Sequence, residues 1–235
     1  FSNHIAAVAA ASRIYNFPAK GIIRGEELTE KSNPTLEKAS QDGMELIFIA
    51  REEYQRFRSS PESLAQIYPN WYFLPEGGTN TLAIKGASEV MSEINMGVDL
   101  LVTPIGTGGT MAGLLKGTKA TKILGISSLK GDFMRKEMEL LFKKHKIDNR
   151  NFEVVTNYHF GGYGKTSRDL IDFMNWFKEY FGIQLDPIYT GKAIFGVWDM
   201  IKSDKFEKNL KIVLLHTGGL QGIKGFNRKY EDIIQ

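Results

Sequence analysis

The 235-residue chain contains no cysteine, and this absence excludes several kinds of chemistry. Without cysteine there is no disulfide framework, no thiolate nucleophile and no sulfur-based zinc site. The four histidines, at positions 4, 145, 159 and 216, show none of the usual metal-binding spacings. We therefore expect no metal centre. The lack of cysteine is compatible with a reducing cytoplasm, which is where we expect the protein to be located.

The chain also has no long apolar run and no block of one charge. Apolar residues make up 42% and charged residues 24% of the sequence, which is ordinary for a globular protein. The net charge of +3 is spread along the chain, so no dense basic patch is available for nucleic acid or a membrane surface. Walker A and Gly-x-Ser-x-Gly patterns are absent as well. We expect a small-molecule partner, without nucleic acid or membrane.

Glycine is abundant, and one glycine-rich loop follows an apolar strand-like run. The loop consists of Gly106, Thr107, Gly108, Gly109 and Thr110. Glycines let backbone N–H groups approach an anion, and the start of the following helix favours negative charge. The pattern predicts a phosphate-binding loop, with a plain tight turn as the alternative. Met111 stands where a dinucleotide fingerprint has its third glycine, which argues against a nucleotide-binding domain.

Helical and strand-like patterns alternate along the chain, which predicts an α/β fold with mainly parallel, covered sheets. Helices are predicted at residues 6–15, 34–41, 63–67, 81–94, 136–145 and 167–181. Strands are predicted at residues 19–23, 44–50, 71–74, 100–104, 123–126 and 212–215. A boundary near Pro75 divides the prediction into a smaller domain, residues 1–75, and a larger cofactor-binding domain, residues 76–235.

Four further motifs contain residue types that are common in binding sites. They are PEGGTN at 75–80, GGYG at 161–164, DPIYTGKA at 186–193 and HTGG at 216–219. Each also has an ordinary structural interpretation, because Thr79 or Asn80 can cap a helix and Asp-Pro can open a turn. The Gly77-Gly78 pair indicates that the backbone approaches another group closely.

Taken in order with Ser2-Asn3-His4 and the GTGGT loop, these motifs resemble the D-cysteine desulfhydrase / 1-aminocyclopropane-1-carboxylate (ACC) deaminase family. That family consists of pyridoxal-phosphate (PLP) enzymes of the tryptophan-synthase-β-like fold, fold type II. The resemblance extends from Ser2 to about Phe226. It implies a two-domain α/β fold with open, mainly parallel sheets and helices on both faces, PLP in the interdomain cleft, and a homodimer.

The resemblance also implies how the cofactor would be bound. The loop 106–110 would hold the PLP phosphate. Asn3 would bind the ring hydroxyl, Thr217 would contact the pyridine nitrogen, and Thr190 would be a further cofactor-binding residue. A neutral hydroxyl does not hold the ring nitrogen protonated as a carboxylate would. The cofactor ring is then a milder electron sink, which suits β-elimination.

On the substrate side, the resemblance implies roles for two groups of residues. Ser2, Asn3 and His4 would bind the substrate carboxylate at a helix N-terminus, where the dipole favours an anion. Tyr163 and Tyr189 would line the substrate, and either could protonate the leaving group. Ser2, Tyr163 and Tyr189 are therefore the candidate catalytic residues.

Two positions favour one branch of the family over the other. Thr190 stands where ACC deaminases typically have Glu, and ACC deaminases tend to lack the threonine that corresponds to Thr217. We therefore expect α,β-elimination of D-cysteine to pyruvate, ammonia and sulfide. The alternatives are deamination of ACC to 2-oxobutanoate and ammonia, and a non-catalytic module that binds PLP or another phosphate.

The family's Schiff-base lysine, which binds the cofactor covalently, would lie upstream of Ser2. The chain begins with Phe1 and enters a helical pattern at once, which we interpret as a fragment of a longer protein. Lys192 belongs to the DPxYxGK pattern and is not the cofactor lysine. We therefore expect the chain as given to be inactive alone, and the longer protein to be an active PLP enzyme.

Overall fold

The computed structural model of the chain describes residues 2–230 and 233–235. Its contacts divide the chain into two compact units. Unit 1 comprises Phe1–Gly78 and Gln221–Glu231, and unit 2 comprises Thr79–Leu220 and Asp232–Gln235. The predicted domain boundary at residue 75 stays a prediction, and residues 221–231 group with unit 1 rather than with the second part of the chain. Phe1, Glu231 and Asp232, which the predicted domains include, lie outside the described residues.

Helices and parallel strands alternate through both units. The helices are α1 (Asn3–Tyr15), α2 (Pro34–Gln41), α3 (Arg51–Ser59), α4 (Glu62–Ile67), α5 (Thr81–Glu93), α6 (Gly109–Gly117), α7 (Phe133–Lys144), α8 (Arg168–Phe181), α9 (Thr190–Lys202) and α10 (Gly222–Tyr230). The strands are β1 (Lys20–Arg24), β2 (Glu45–Ile49), β3 (Leu100–Ile105), β4 (Lys122–Ser127), β5 (Phe152–Val155) and β6 (Ile212–Leu214). Within the described part of the chain, no helix has the length and apolar character to cross a membrane.

Unit 1 is built on a two-stranded parallel sheet. β1 pairs with β2 so that Gly21 lies opposite Leu46. Ala9 of α1, Ala39 of α2 and Met44 form a small core beside this sheet. The small side chains let both helices pack close to the strands.

Unit 2 is built on a four-stranded parallel sheet with the order β5-β4-β3-β6. Side chains alternate between the two faces of a strand, and both faces of β3 are covered. Leu101 and Ile105 pack in the core that includes α5, α6 and α7, whereas Leu100 and Val102 pack with α9. The predicted α/β class, with parallel sheets covered by helices on both faces, is therefore confirmed.

Most predicted elements are present, and one prediction is wrong. Residues 71–74 were expected to form a strand, but they form no strand and their side chains are 37–69% exposed. The sequence analysis also missed α3, β5 and α10. Phe57 is the one buried residue of α3, so this helix has no apolar stripe that its sequence could reveal.

Helices α5 and α6 cross at very short range because α6 has glycine at the contact. A Cβ atom at Gly113 would lie 2.4 Å from the Cβ of Ala87 and 2.8 Å from the carbonyl oxygen of Ile84. A Cβ atom at Gly117 would lie 2.4 Å from the carbonyl oxygen of Ser88. This contact fixes α6, whose N-terminus carries the loop 106–110.

We predict that Gly113→Ala destabilises the protein although alanine is the better helix former. Overpacking costs about 1–3 kcal/mol, and this exceeds the gain in helix propensity of about 1 kcal/mol. The matched control is Gly86→Ala on α5, because no described atom lies within 4 Å of a Cβ placed there. Urea unfolding should give a lower free energy of unfolding for Gly113→Ala and an equal or higher one for Gly86→Ala. Equal values for the two variants would contradict the close contact.

Candidate functional site

The loop 106–110 joins the carboxyl end of β3 to the N-terminus of α6. Gly108 is the N-cap residue of α6, and no side chain caps this helix among the described residues. Gly108 has a φ of 85°, which strains any other residue, and a Cβ atom there would lie 2.4 Å from the sulfur of Met138, so that the Met138 side chain would have to move. Because the first amides of a helix have no intrahelical acceptor, this end of α6 presents N–H donors and a positive dipole end. The geometry fits a phosphate group.

Thr79 adds a hydroxyl to this loop, and the sequence analysis missed it as a site residue. The Thr79 Oγ1 and Thr107 Oγ1 atoms lie 2.7 Å apart, at hydrogen-bond distance. A Cβ atom at Gly109 would lie 2.7 Å from the same Thr79 Oγ1. The capping role considered for Thr79 belongs to Asn80, whose Oδ1 accepts from the Ala83 amide at 2.8 Å. The signal was present in the sequence, since Thr79 directly follows the Gly77-Gly78 pair.

A second loop in unit 2 is organised by one buried carboxylate. Asp186 is 1% exposed, and its Oδ1 accepts from the amides of Ile188 and Tyr189, both at 2.9 Å. Its Oδ2 accepts from the Thr190 amide at 2.7 Å and from the Thr190 hydroxyl at 2.6 Å. This turn starts α9 and fixes the backbone of Tyr189.

Thr190 lies inside the turn rather than on a surface. It is fully buried, and its hydroxyl donates to the Asp186 carboxylate while accepting from the Asp186 amide at 2.9 Å. Its predicted role as a cofactor ligand stays a prediction. In the described structure its hydroxyl belongs to the turn that carries Tyr189.

The structure brings Tyr163 and Tyr189 together, and it brings Tyr189 to the glycine loop. The ring centroids of the two tyrosines are 6.1 Å apart, with an edge-on angle of 64°. A Cβ atom at Gly106 would lie 2.9 Å from Cε1 of Tyr189, so the ring packs directly on this glycine. Tyr163 is 52% exposed. Two predicted tyrosines and the predicted phosphate loop thus form one continuous group in unit 2.

Lys192, in the first turn of α9, is a buried cation behind this group. Its side chain is 1% exposed, and its Nζ donates to the carbonyl oxygens of His159 at 2.9 Å and Gly162 at 2.8 Å. Burial lowers the pKa of the Lys192 ammonium to about 8, against the opposing effect of the Asp186 carboxylate. The sequence assigned this lysine to the DPxYxGK pattern and not to the cofactor, and indicated neither its burial nor its carbonyl partners.

Thr217 follows β6 at the same edge of the sheet as the glycine loop, because β6 and β3 are parallel neighbours. Its side chain is exposed. The preceding His216 shapes this turn: its Nε2 lies 2.8 Å from the Gln184 carbonyl oxygen, and its Nδ1 accepts from the Gly218 amide at 3.1 Å. Because Nδ1 accepts from the Gly218 amide, Nε2 is the nitrogen that faces the Gln184 carbonyl oxygen as a donor.

In unit 1, Ser2 and Asn3 have hydrogen bonds that define the start of α1. Ser2 is the N-cap residue, and its Oγ accepts from the Ile5 amide at 3.3 Å. The Asn3 Oδ1 accepts from the side-chain amide of Gln221 at 2.6 Å. Ser2 thus caps α1, whereas the catalytic role of Ser2 and the ligand roles of both residues stay predictions.

His4 explains the close approach that the Gly77-Gly78 pair indicated. A Cβ atom at Gly78 would lie 3.0 Å from both Cε1 and Nδ1 of His4, so the imidazole lies on this glycine. Gly78 also has a φ of 75°, in the left-handed region that favours glycine. Burial lowers the pKa of the His4 imidazole, so that a neutral ring faces Gly78 at pH 7.

Comparison with known proteins connects this geometry to one family. Residues 1–218 match the family model described as pyridoxal-phosphate dependent enzyme. A Pyrococcus abyssi protein provisionally named 1-aminocyclopropane-1-carboxylate deaminase is 27% identical, over 99% of this chain and 76% of its own length. The Arabidopsis thaliana protein named bifunctional D-cysteine desulfhydrase/1-aminocyclopropane-1-carboxylate deaminase, mitochondrial, is 28% identical, over 94% of this chain and 62% of its own length.

The fold comparison agrees with the sequence comparison. A crystal structure titled as that of an ACC deaminase homologue matches with a TM-score of 0.83 at 25% identity, over 99% of this chain and 75% of that one. The predicted resemblance, the fold type and the cofactor PLP are thereby confirmed. The chain belongs to the family of pyridoxal-phosphate-dependent enzymes, among relatives that are named as deaminases and desulfhydrases.

Proposed function

We propose that this PLP-dependent enzyme is a lyase that eliminates the β-substituent of a small amino acid, with D-cysteine as its substrate. The observation that carries the proposal is the contact of Tyr189 with Gly106 on one side and with Tyr163 on the other. This contact puts two phenol groups beside the loop whose donors fit a phosphate. A positioned proton donor assists the departure of the sulfur in an elimination.

The loop 106–110, with the hydroxyls of Thr107 and Thr79, would hold the cofactor phosphate. PLP, when bound, supplies the electron sink that stabilises negative charge at the substrate Cα. Asn3 and Thr217 stay the proposed partners of the cofactor ring, and Ser2 and His4 those of the substrate carboxylate. A neutral His4 would act there as a hydrogen-bond donor or acceptor rather than as a counter-charge.

The tyrosines are the groups to which we assign proton transfer. In the overall reaction the Cα–H and Cβ–S bonds of D-cysteine break, and sulfur leaves as sulfide with a proton. Water then hydrolyses the released product to pyruvate and ammonia. Tyr189 is the preferred donor, because the Asp186 turn fixes its backbone and Gly106 fixes one face of its ring.

ACC deamination is the second candidate, and it is favoured by the names of the Pyrococcus abyssi relative and of the solved homologue. It shares the cofactor and the tyrosines with the first candidate. The DPIYT segment, with Thr190 after the second tyrosine, supports D-cysteine instead. A homodimer and a cytoplasmic location complete the proposal.

The direct test gives D-cysteine and ACC separately to the full natural protein loaded with PLP. We expect sulfide and pyruvate from D-cysteine in equal amounts, and no 2-oxobutanoate from ACC. Release of 2-oxobutanoate without sulfide would establish the second candidate and overturn the first. Bound PLP with neither product would overturn both and support a non-catalytic binding module.

Tyr189→Phe should lower turnover of D-cysteine by about 10²–10⁴-fold, the usual contribution of a positioned acid. It should leave the visible absorbance of bound PLP unchanged, because the ring still packs on Gly106. Tyr180→Phe is the matched control, since Tyr180 is 71% exposed on α8. Unchanged turnover in Tyr189→Phe would refute the assignment of Tyr189.

Thr79→Val should weaken PLP binding, because it removes the hydroxyl that lies 2.7 Å from Thr107 Oγ1 and keeps the shape of the side chain. A lost hydrogen bond to a charged group is worth about 1.5–3 kcal/mol, which corresponds to an increase in the dissociation constant of about tenfold or more. Thr79→Ser keeps the hydroxyl and should bind PLP nearly as the natural protein does. Equal affinities in the two variants would place the phosphate away from Thr79.

A further inference from the structure

Lys192 is a buried cation that the proposed reaction does not use. A lysine is almost never fully buried unless its charge has partners, and Lys192 is 1% exposed. It lies in the first turn of α9, where the helix dipole disfavours a cation. Stabilisation of α9 therefore does not explain its position.

The partners of Lys192 lie in one loop, residues 159–165, which we call the tyrosine loop because it carries Tyr163. The ammonium donates to the carbonyl oxygens of His159 and Gly162. The same two oxygens also accept from the amides of Gly162, at 2.9 Å, and Lys165, at 3.1 Å. Both lone pairs of each carbonyl oxygen are therefore used, and Lys192 completes the hydrogen bonding of the loop.

The backbone of the tyrosine loop needs such support. Phe160, Gly161, Gly162 and Gly164 all have positive φ values, of 51°, 92°, 117° and 65°. Glycine adopts these conformations readily but is correspondingly free to leave them, and Phe160 pays a conformational cost. Without a fixed partner for its inward carbonyls, this segment would sample many conformations.

The nearby carboxylate does not take over this role. All four hydrogen bonds of the Asp186 carboxylate described above come from its own turn, at Ile188, Tyr189 and Thr190. Its effect on Lys192 is that of a negative charge, which raises the pKa of the ammonium against the larger, lowering effect of burial. The donors of Lys192 are thus directed to the tyrosine loop.

We propose that Lys192 is a positioning residue, whose ammonium holds the tyrosine loop and thereby keeps the Tyr163 ring against Tyr189. Lys192 and Tyr189 lie in the same segment, three residues apart, so the turn that fixes one tyrosine also carries the cation that fixes the other. The catalytic consequence rests on the proposed function of the tyrosines, whereas the structural role does not.

The first test is hydrogen–deuterium exchange of the full protein loaded with PLP, read on peptides that contain the amides of Gly162 and Lys165. Lys192→Met should raise exchange of these amides by about tenfold or more, the effect of losing charged hydrogen bonds. Exchange in β3 should stay unchanged. The matched control is Lys202→Met, the same change at an exposed position on α9. Equal loop exchange in the two variants would overturn the proposal.

The second test restores the ammonium chemically at one introduced cysteine, and none of the 235 residues is a cysteine that would compete for the reagent; any cysteine elsewhere in the full protein is first replaced by serine. Lys192→Cys is alkylated in denaturant with 2-bromoethylamine, giving a lysine-like side chain, or with 1-iodopropane, giving its uncharged isostere, and is then refolded with PLP. We expect slow loop exchange in the aminoethyl form and fast exchange in the propyl form. Equal loop exchange in the two forms would overturn the proposal. Global unfolding of the propyl form alone would also overturn it, because Lys192 would then stabilise the whole protein rather than the tyrosine loop.

Turnover separates this proposal from the proposed function. If both stand, Lys192→Met lowers kcat and the aminoethyl form recovers it, while Lys202→Met has the activity of the natural protein. If loop exchange rises in Lys192→Met but both this variant and Tyr189→Phe turn over normally, the positioning role stands and the catalytic role of the tyrosines fails. If turnover falls in Tyr189→Phe but loop exchange does not respond to Lys192→Met, the positioning role fails alone.

Discussion

The burial of both faces of β3 is the constraint on which the organisation of unit 2 depends. All six residues of this strand are buried, with parallel partners on both sides. A strand covered in this way has no room for a polar side chain that binds a ligand. The buried Thr103 hydroxyl donates to the neighbouring Pro104 carbonyl oxygen, at 3.4 Å. Groups that could bind a polar ligand therefore lie beyond the end of the strand, where the glycine loop begins.

The close contact of α5 with α6 acts on the same place. Because Gly113 and Gly117 let the backbones approach, the axis of α6 is fixed and its N-terminus is held at the carboxyl end of β3. A helix end contributes a directed set of amide donors only if the helix itself cannot tilt. Gly113 and Gly117 thus hold α6 in place by close packing, and the position of the loop 106–110 depends on that packing.

Two buried charges in unit 2 are satisfied mainly by the main chain. Asp186 takes three amides and one hydroxyl, and Lys192 takes two carbonyl oxygens. Each charge thereby ties together a segment that has little regular structure. A direct ion pair would have satisfied both charges more simply but would have fixed neither Tyr189 nor the tyrosine loop.

The sequence predicted those parts of the structure that follow from local patterns. Short apolar runs gave the strands, and Ser2, Asn80 and the glycine loop marked helix starts that the structure contains. The aromatic run at residues 71–74 was misleading, because β-propensity describes a side chain that packs on a sheet, and this segment pairs with no strand in the described part of the chain. Contacts between distant segments could not be predicted from the sequence. The glycine pair indicated a close approach at Gly78, but not that His4 is the residue that approaches. The motif contained Lys192, but nothing in it identified the carbonyl oxygens to which Lys192 donates.

Thr190, which the sequence analysis used to favour one branch of the family, has a structural role in the Asp186 turn. Its hydroxyl donates to the Asp186 carboxylate, so a glutamate placed there with the same backbone would bring two carboxylates together. Like charges at such a distance cannot both remain ionised in a buried site. A chain with glutamate at this position must therefore keep one of the two carboxyl groups protonated or build the turn that carries Tyr189 differently. In this chain the Thr190 hydroxyl belongs to the turn that carries Tyr189, so under the proposed function it would act on the reaction through the orientation of Tyr189.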